Sequence, residues 1–126
     1  MKLKNYTPHP VNFYVNPTDA EPRLIIPSNG VARVSSERVV VETVDVDGVP
    51  VQIGVTRFSG DVVGLPDPEP NTLYIVSAMV MNALPHRTDL IVPALPVRDD
   101  IGQIIGCCGF DRLDHKPLES TKEVST

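Results

Sequence analysis

The stretch Arg38–Phe58, RVVVETVDVDGVPVQIGVTRF, decides the fold class of this chain. Two valine-rich runs flank Asp47-Gly48, and Asp-Gly between β-branched runs is the preferred sequence of a type I′ hairpin turn. Valine at this density disfavours helix, because its branched side chain loses rotamer freedom there. The stretch therefore predicts a β-hairpin. Alternate residues of its second run share one face: Val49, Val51, Ile53 and Val55.

The segments before this turn are also predicted to be β. The first valine run changes phase once, which predicts a β-bulge near Glu42-Thr43. Val11–Val15 alternates apolar and polar residues and predicts a strand. The Pro-Ser-Asn-Gly sequence at Pro27–Gly30 is typical of a turn, so we expect a second hairpin between the segments that flank it.

The segments after the turn combine strands with a helix. Residues 73–76 (LYIV) predict a buried strand, and residues 77–84 predict a short helix with Ser77 as its N-cap and Pro85 ending it. A hairpin-like pair follows around Asp99–Gly102, where aspartate and glycine favour a turn.

Together these elements predict a mainly β fold of the α+β type with one or two short helices. The expected arrangement is a small antiparallel sandwich or roll, with the helix in the C-terminal half. Residues 1–113 are predicted to form one domain, since neither an N-terminal β half (1–59) nor a C-terminal strand–helix–hairpin half (72–113) is large enough for its own core. Proline-rich residues 60–71 connect the halves, and residues 114–126 are expected to form a flexible polar tail.

The composition argues against several classes of protein. Of the 126 residues, 41% are hydrophobic, which suits a packed core. The net charge of −5 argues against a protein that binds a DNA or RNA polymer, because polymer phosphates need a basic stripe. A small anionic ligand held by local arginines is still compatible with it. No apolar run approaches the ~20 residues of a membrane-spanning helix. The start of the chain does not resemble a signal peptide, so we expect a cytoplasmic protein.

The motifs favour neither a metal site nor a catalytic centre. On a strand, Cys107 and Cys108 would face opposite ways, so one is expected in the core and the other at a surface or interface. The chain has neither Cys-x-x-Cys nor His-x-x-x-His spacing, and it lacks the Gly-x-Ser-x-Gly and glycine-rich phosphate motifs. We therefore predict no metal, no cofactor and no catalytic residue. The alternative is an enzyme with Asp99 or Asp61 as an acid–base group.

Two arginines have a better physical reason to contact a ligand. Arg87 follows the short helix and Arg98 enters the last turn, each beside a proline-containing segment, and a guanidinium can grip phosphate with two hydrogen bonds. Tyr74 could stack on a ligand, and the side chains of Asn82 and Asp99 could form hydrogen bonds with the hydroxyl groups or the base edge of a ligand. The alternative is two exposed Arg–Asp pairs of little energetic value, with Tyr74 in the core and Asn82 on a solvated face.

Five segments resemble those of a known protein family. They are KNYTPHPVNFY (4–14), IPSNGVARV (26–34), LYIVSAMVMNAL (73–84), RTDLIVP (87–93) and VRDDIGQIIGCCGF (97–110). Over most of residues 5–110 the chain resembles the phage-encoded anti-Thoeris sponges, which are small proteins of bacteriophages and prophages.

The resemblance implies a protein of the infected bacterial cytoplasm that binds a cyclic ADP-ribose isomer, an immune signal, without cleaving it. It implies a homo-oligomer, with a hexamer as one arrangement, that holds its ligand at subunit contacts; some members also hold cyclic oligonucleotides at separate sites. Asn82 and Arg98 carry over as ligand contacts, and Tyr74 stands where an aromatic stacker is expected. Gln103 stands where a second cation is expected, a role that Arg87 could take instead.

Two other functions stay open from the sequence. One is an enzyme acting on a nucleotide, and the other is a structural or interaction protein of a phage. No membrane partner and no nucleic-acid polymer are expected in either case.

Overall fold

The structure, a computed structural model, describes residues 1–115. Its elements in chain order are β1 (Lys2–Asn5), β2 (Val11–Phe13), β3 (Leu24–Ile26), β4 (Arg33–Val46), β5 (Val49–Val63), β6 (Thr72–Ile75), α1 (Ala78–Ala83), β7 (Leu90–Arg98) and β8 (Ile104–Asp111). The fold is mainly β with one short helix in the described range, as predicted. No helix among these residues has the length and apolar character needed to cross a membrane.

Six strands form one sheet in the order β1-β6-β7-β8-β2-β3. Three of its neighbouring pairs are parallel (β1–β6, β6–β7 and β2–β8), while β7–β8 and β2–β3 are antiparallel. Asn5, at the end of β1, forms a parallel bridge with Ser28, just beyond β3. Because β1 and β3 are the outer strands, the sheet curls until its edges meet. The result is a small roll with mixed pairing, where the sequence predicted antiparallel pairing.

The side chain of Asn5 closes the roll. It is fully buried, and its Nδ2 donates to the carbonyl oxygens of His9 and Ile26 at 2.8 and 3.1 Å. Its Oδ1 accepts from the backbone N–H and the hydroxyl of Thr7 at 2.9 and 2.6 Å. One side chain thus ties β1, the following turn and β3 together. The Asn-x-Thr-Pro-His sequence at Asn5–His9 therefore stabilises the fold of the single chain.

Two hydrophobic clusters lie on opposite faces of this sheet, because successive strand residues point to opposite sides. All six strands contribute to the inner cluster. It consists of buried Val11, Ile26, Ile75, Ile91 and Cys107, with Leu3, Phe13, Leu73 and Phe110 packed against them. The outer cluster is covered by α1 and by the start of the β4–β5 hairpin. It consists of buried Ala32, Tyr74, Val76, Val80, Met81 and Leu90, with Tyr6, Val34, Val62, Leu65, Leu84, Val92 and Leu113 packed against them.

Strands β4 and β5 form a separate two-stranded sheet, which we call the arm (Arg33–Val63). Asp47 and Gly48 connect them with φ angles of 51° and 83°, and two positive φ values are the signature of a type I′ turn. The register shifts between Val40 and Glu42, which places a bulge next to the predicted position. The hairpin predicted from the valine runs is confirmed.

The helix predicted in the C-terminal half is also confirmed. The Ser77 hydroxyl accepts a hydrogen bond from the Val80 N–H at 3.3 Å, which caps the first turn of α1. Val80 and Met81 face the outer cluster, so a helix of only six residues is held by tertiary packing.

Two other predictions, a hairpin turn at residues 27–30 and a proline-rich loop that begins at residue 60, were wrong. Residues 27–30 do not connect a hairpin, since β3 pairs with β2 and β4 pairs with β5. The Asn29 side chain instead accepts from the Asn5 N–H at 3.1 Å, so this turn serves the closure of the roll. The proline-rich loop begins at Gly64, because β5 continues to Val63. A Cβ on Gly64, which has φ +87°, would lie 2.3 Å from the Val31 carbonyl oxygen, so a larger residue does not fit this exit from the arm.

Strands from both predicted halves share the six-stranded sheet. The C-terminal strands β6, β7 and β8 lie side by side, with β1 on one side of them and β2 and β3 on the other, while the arm forms a separate two-stranded sheet. Of the predicted tail, residues 116–126 lie outside the described part of the chain.

Candidate functional site

A cleft of about 520 Å³ opens where the arm, the proline-rich loop and the α1–β7 connection meet. Its walls combine apolar side chains with charged and polar ones. They are Val62, Leu65, Asp67, Pro68, Leu84, His86, Arg87, Thr88 and Asp89. A mixed lining of this kind suits a small polar ligand.

Arg87 is firmly held in this cleft. Its Nε and one terminal nitrogen donate to the two carboxylate oxygens of Asp89 at 3.0 and 2.7 Å, and the other terminal nitrogen donates to the Pro66 carbonyl at 2.9 Å. The hydrogen bond with Asp89 raises the pKa of the Arg87 guanidinium. Only 11% of the Arg87 side chain and 15% of the Asp89 side chain are exposed, so this pair is not the exposed pair of the alternative interpretation. Three of the five N–H donors of Arg87 are occupied, which leaves it limited capacity for phosphate.

Tyr74 lies beneath Arg87, with 5.5 Å between the guanidinium carbon and the ring centre. Its ring is fully buried and packs against Tyr6 at 5.7 Å, so it belongs to the outer cluster, as the alternative interpretation had it. Its hydroxyl lies 3.1 Å from both the Asp67 carbonyl and a carboxylate oxygen of Glu69. Burial, and then the hydrogen bond to Glu69, raise the pKa of Tyr74. In this conformation the ring supports the cleft and does not face it.

The acceptor for Tyr74, Glu69, is itself held by a lysine. Lys4 Nζ donates to Glu69 Oε1 at 3.2 Å, and this hydrogen bond, followed by the one from Tyr74, lowers the pKa of Glu69. The pair is solvent-accessible and ties the proline-rich loop to β1.

Arg98 lies at the turn between β7 and β8. Its side chain is exposed, and one terminal nitrogen donates to the Gly102 carbonyl at 2.8 Å, which folds the guanidinium over the turn. Asp99 is occupied by this turn, because its Oδ1 accepts from the N–H groups of Ile101 and Gln103 at 3.0 and 2.9 Å. Among residues 1–115 no carboxylate lies within ion-pair distance of Arg98. The Arg98–Asp99 pair of the alternative interpretation therefore does not form.

The structure divides the predicted site residues into two groups. Tyr74 and Arg87 are in contact, and exposed Asn82 lies on the helix that leads into the cleft. Arg98 and Asp99 lie at the opposite end of β7, eight residues beyond Leu90, which corresponds to roughly 26 Å of strand. A small ligand cannot span this distance within one chain.

Two groups at this site were not predicted from the sequence: Thr88, which lines the cleft, and the Pro66 carbonyl, which accepts from Arg87. The only signal for them was the density of prolines in the loop, which fixes the direction of backbone carbonyls but does not indicate which side chain they meet.

The cysteines occupy two environments, as predicted. Cys107 is buried in the inner cluster, where burial raises the pKa of its thiol, and Cys108 is half-buried; both are free. In the described part of the chain, no three His, Cys, Asp or Glu side chains group in a way that could hold a metal ion.

Comparisons with known proteins identify no relative. No family model matches the chain, and neither the curated proteins nor the solved structures contain a match to it.

Proposed function

We propose that this protein binds and sequesters a cyclic nucleotide immune signal, a cyclic ADP-ribose isomer, without cleaving it. The proposal follows the family that its segments resemble, and it makes the chain a phage anti-defence protein of the infected cell. The observation that supports it most directly is the state of Arg98, which is exposed, held in direction by its own turn, and unpaired with any carboxylate of residues 1–115.

A guanidinium in this state is suited to a phosphate. The bond to Gly102 uses one of the five N–H donors of Arg98, so the remaining donors can form two parallel bonds to phosphate oxygens. The bond also fixes the rotamer before the ligand arrives, which reduces the entropy lost on binding. The carboxylate of the neighbouring Asp99 repels a bound anion only weakly, because it accepts hydrogen bonds from two backbone N–H groups.

A binding site of this kind needs a second subunit. Arg98 is separated from Asn82 and Arg87 by roughly 26 Å of strand, so a ligand that contacts both groups must lie between two copies. We therefore propose a homo-oligomer in which Arg98 of one copy meets the α1 end of another. Sequestration requires affinity without transition-state complementarity, so such a contact site needs no nucleophile.

Calorimetric titration with a cyclic ADP-ribose isomer tests this proposal. Arg98→Ala is expected to weaken binding by about 30-fold, corresponding to about 2 kcal/mol for a desolvated phosphate contact. Arg23→Ala is the matched control, since it removes another exposed arginine and should change affinity by less than about threefold. Equal affinities of both variants would remove Arg98 from the site.

The fate of the ligand separates sequestration from catalysis. After the complex is heat-denatured, mass spectrometry should recover the ligand intact. Recovery of a cleaved product would favour the nucleotide-acting enzyme instead. Failure to bind any cyclic nucleotide, together with co-purification with virions, would favour a structural protein of the phage.

A further inference from the structure

The hydrogen bonds of Arg87 leave one part of its guanidinium open, the face that lies toward the cleft. Three N–H groups on its in-plane edge are engaged by the Asp89 carboxylate and the Pro66 carbonyl. The Tyr74 ring lies against one of its two faces, with 5.5 Å between the guanidinium carbon and the ring centre. Because Arg87 lines the cleft and Tyr74 does not, the cleft lies on the other side of the guanidinium.

This open face is held in place before any ligand arrives. The three hydrogen bonds, of 2.7, 2.9 and 3.0 Å, fix the plane of the guanidinium. A planar guanidinium stacks on aromatic rings, and one that is already fixed loses little conformational entropy when a ring binds to it. The open face of Arg87 is therefore a preformed surface for a flat ring.

The charges of the cleft favour a neutral ligand over an ionic one. Two carboxylates, those of Asp67 and Asp89, line the cleft together with the Arg87 guanidinium. A phosphate would meet both carboxylates and only the two N–H donors that Arg87 has left. A cationic amine would meet the guanidinium. A neutral ring avoids both repulsions.

Asp67 supplies a polar contact for such a ring. Among residues 1–115 its carboxylate has neither a hydrogen bond nor an ion pair, since only its backbone carbonyl is engaged, by the Tyr74 hydroxyl. The hydrogen bond with Asp89 is the largest cause of the raised pKa of Arg87, and the charge of Asp67 also contributes. The Asp67 carboxylate therefore lies within electrostatic reach of the guanidinium. It can accept a hydrogen bond from an N–H group of a ring stacked there.

The rest of the lining suits a ring that carries a sugar. Leu65 and Leu84 are half-buried and pack against the outer cluster, so they give the cleft an apolar wall. His86 and Thr88 are exposed polar residues of the same cleft, which can form hydrogen bonds with sugar hydroxyls. The volume of about 520 Å³ lies within the ~300–1,000 Å³ range of small-ligand sites.

We propose that this cleft binds a nucleobase, which stacks on the open face of Arg87 and donates an N–H to the Asp67 carboxylate. The inference rests on the proposed function, because it assigns the base of the cyclic nucleotide to the cleft and a phosphate to Arg98 of another copy. A purine with an exocyclic amino group combines the flat ring with the required donor. Tyr74 then contributes to stacking indirectly, by supporting Arg87 from the opposite side.

Calorimetric titration with adenosine, which has the base but no phosphate, tests this site. Asp67→Ala is expected to weaken binding about tenfold, as for the loss of one hydrogen bond to a charged acceptor. The substitution retains the Asp67 backbone carbonyl that binds the Tyr74 hydroxyl. Asp45→Ala is the matched control, since it removes an exposed carboxylate of the arm and should change affinity by less than about twofold.

A second ligand identifies the group that Asp67 contacts. Purine riboside lacks the amino group of adenosine, so it should bind the wild type about tenfold more weakly than adenosine does. Asp67→Ala should bind the two nucleosides equally. A wild type that does not bind adenosine overturns the inference, and so does an Asp67→Ala protein that binds adenosine as tightly as the wild type.

Nuclear magnetic resonance of ¹⁵N-labelled protein reports the stacking itself. The Arg87 Nε–H donates to Asp89, so its proton lies beside the open face and should move upfield when an aromatic ring stacks there. The Nε–H of Arg98 is the internal control and should not move with adenosine. A shift at Arg98 in place of Arg87 would locate the base outside the cleft and refute the assignment.

The outcomes separate this inference from the proposed function. A protein that binds adenosine in the cleft but no cyclic ADP-ribose isomer would refute the proposed function alone. A protein that sequesters the isomer equally well with Asp67→Ala, and shows no shift at Arg87, would refute the cleft assignment alone.

Discussion

The Arg87 guanidinium and the Asp89 carboxylate form two parallel hydrogen bonds, of 3.0 and 2.7 Å, in a largely buried position. Replacing Arg87 by alanine leaves the Asp89 carboxylate without its ion-pair partner and the Pro66 carbonyl without its hydrogen-bond donor. We expect Arg87→Ala to lower the free energy of unfolding by about 2–4 kcal/mol, measured by urea denaturation. Arg98→Ala, at an exposed position, should change it by less than about 0.5 kcal/mol.

The coupling within this pair is measurable separately. In a double-mutant cycle, Arg87→Ala combined with Asp89→Ala should cost less than the sum of the single changes, with a coupling energy of about 1–3 kcal/mol. Additive effects would mean that the two side chains do not stabilise each other in solution.

Asn5 offers a test of how the roll closes. Asn5→Ala would leave the carbonyls of His9 and Ile26 without their donor, and we expect a loss of about 2–4 kcal/mol in unfolding free energy. Asn5→Asp should be at least as harmful, because a carboxylate oxygen would then face those two carbonyl oxygens. Asn82→Ala removes the same amide from an exposed helical position and should be nearly neutral. An Asn5→Ala protein as stable as the wild type would show that the closure does not depend on this side chain.

The elements predicted correctly from the sequence are those with local physical signals. The Asp47-Gly48 turn requires positive φ angles, Ser77 supplies the helix cap, and the Asp99 side chain binds the backbone of its own turn. Each of these interactions joins residues at most a few positions apart. Residue type and spacing were therefore enough to predict them.

The features that could not be predicted depend on distant parts of the chain. The parallel pairing of β1 with β6 joins Leu3 to Leu73, and no local pattern encodes such a choice of neighbour. The same holds for the bond from Arg87 to Pro66 and for the burial of Tyr74, which the sequence left open. An aromatic residue in a short apolar run suits a core and a binding surface equally well.

Gly106 tests the close approach of β2 to β8. A Cβ at this position would lie 2.5 Å from the Asn12 carbonyl oxygen and 2.6 Å from the Tyr14 ring. We expect Gly106→Ala to destabilise the protein by about 1–3 kcal/mol, because backbone and ring must both move. Gly109→Ala lies on the same strand, but its Cβ would meet only the end of the exposed Leu95 side chain at 3.2 Å, so thermal unfolding should be little changed.

Tyr74 predicts how stability responds to alkaline pH. Its neutral form is favoured in the folded protein because the ring is buried and its hydroxyl donates to Glu69, so its folded pKa lies above the ordinary value of 10.0. In the unfolded chain Tyr74 ionises near that ordinary value. Its contribution is therefore complete below pH 10 and decreases as the pH rises above it, by at most ~1.4 kcal/mol per pH unit.

Comparison of the wild type with Tyr74→Phe isolates this contribution from the other groups that titrate at high pH. At pH 8 the variant should be less stable by about 1 kcal/mol, because it loses the hydroxyl hydrogen bond. Between pH 9.5 and 11 the wild type should lose stability faster than the variant, so the difference in unfolding free energy should shrink. Parallel curves over that range would mean that Tyr74 ionises as easily in the folded protein as in the unfolded chain, which is incompatible with a buried ring beneath Arg87.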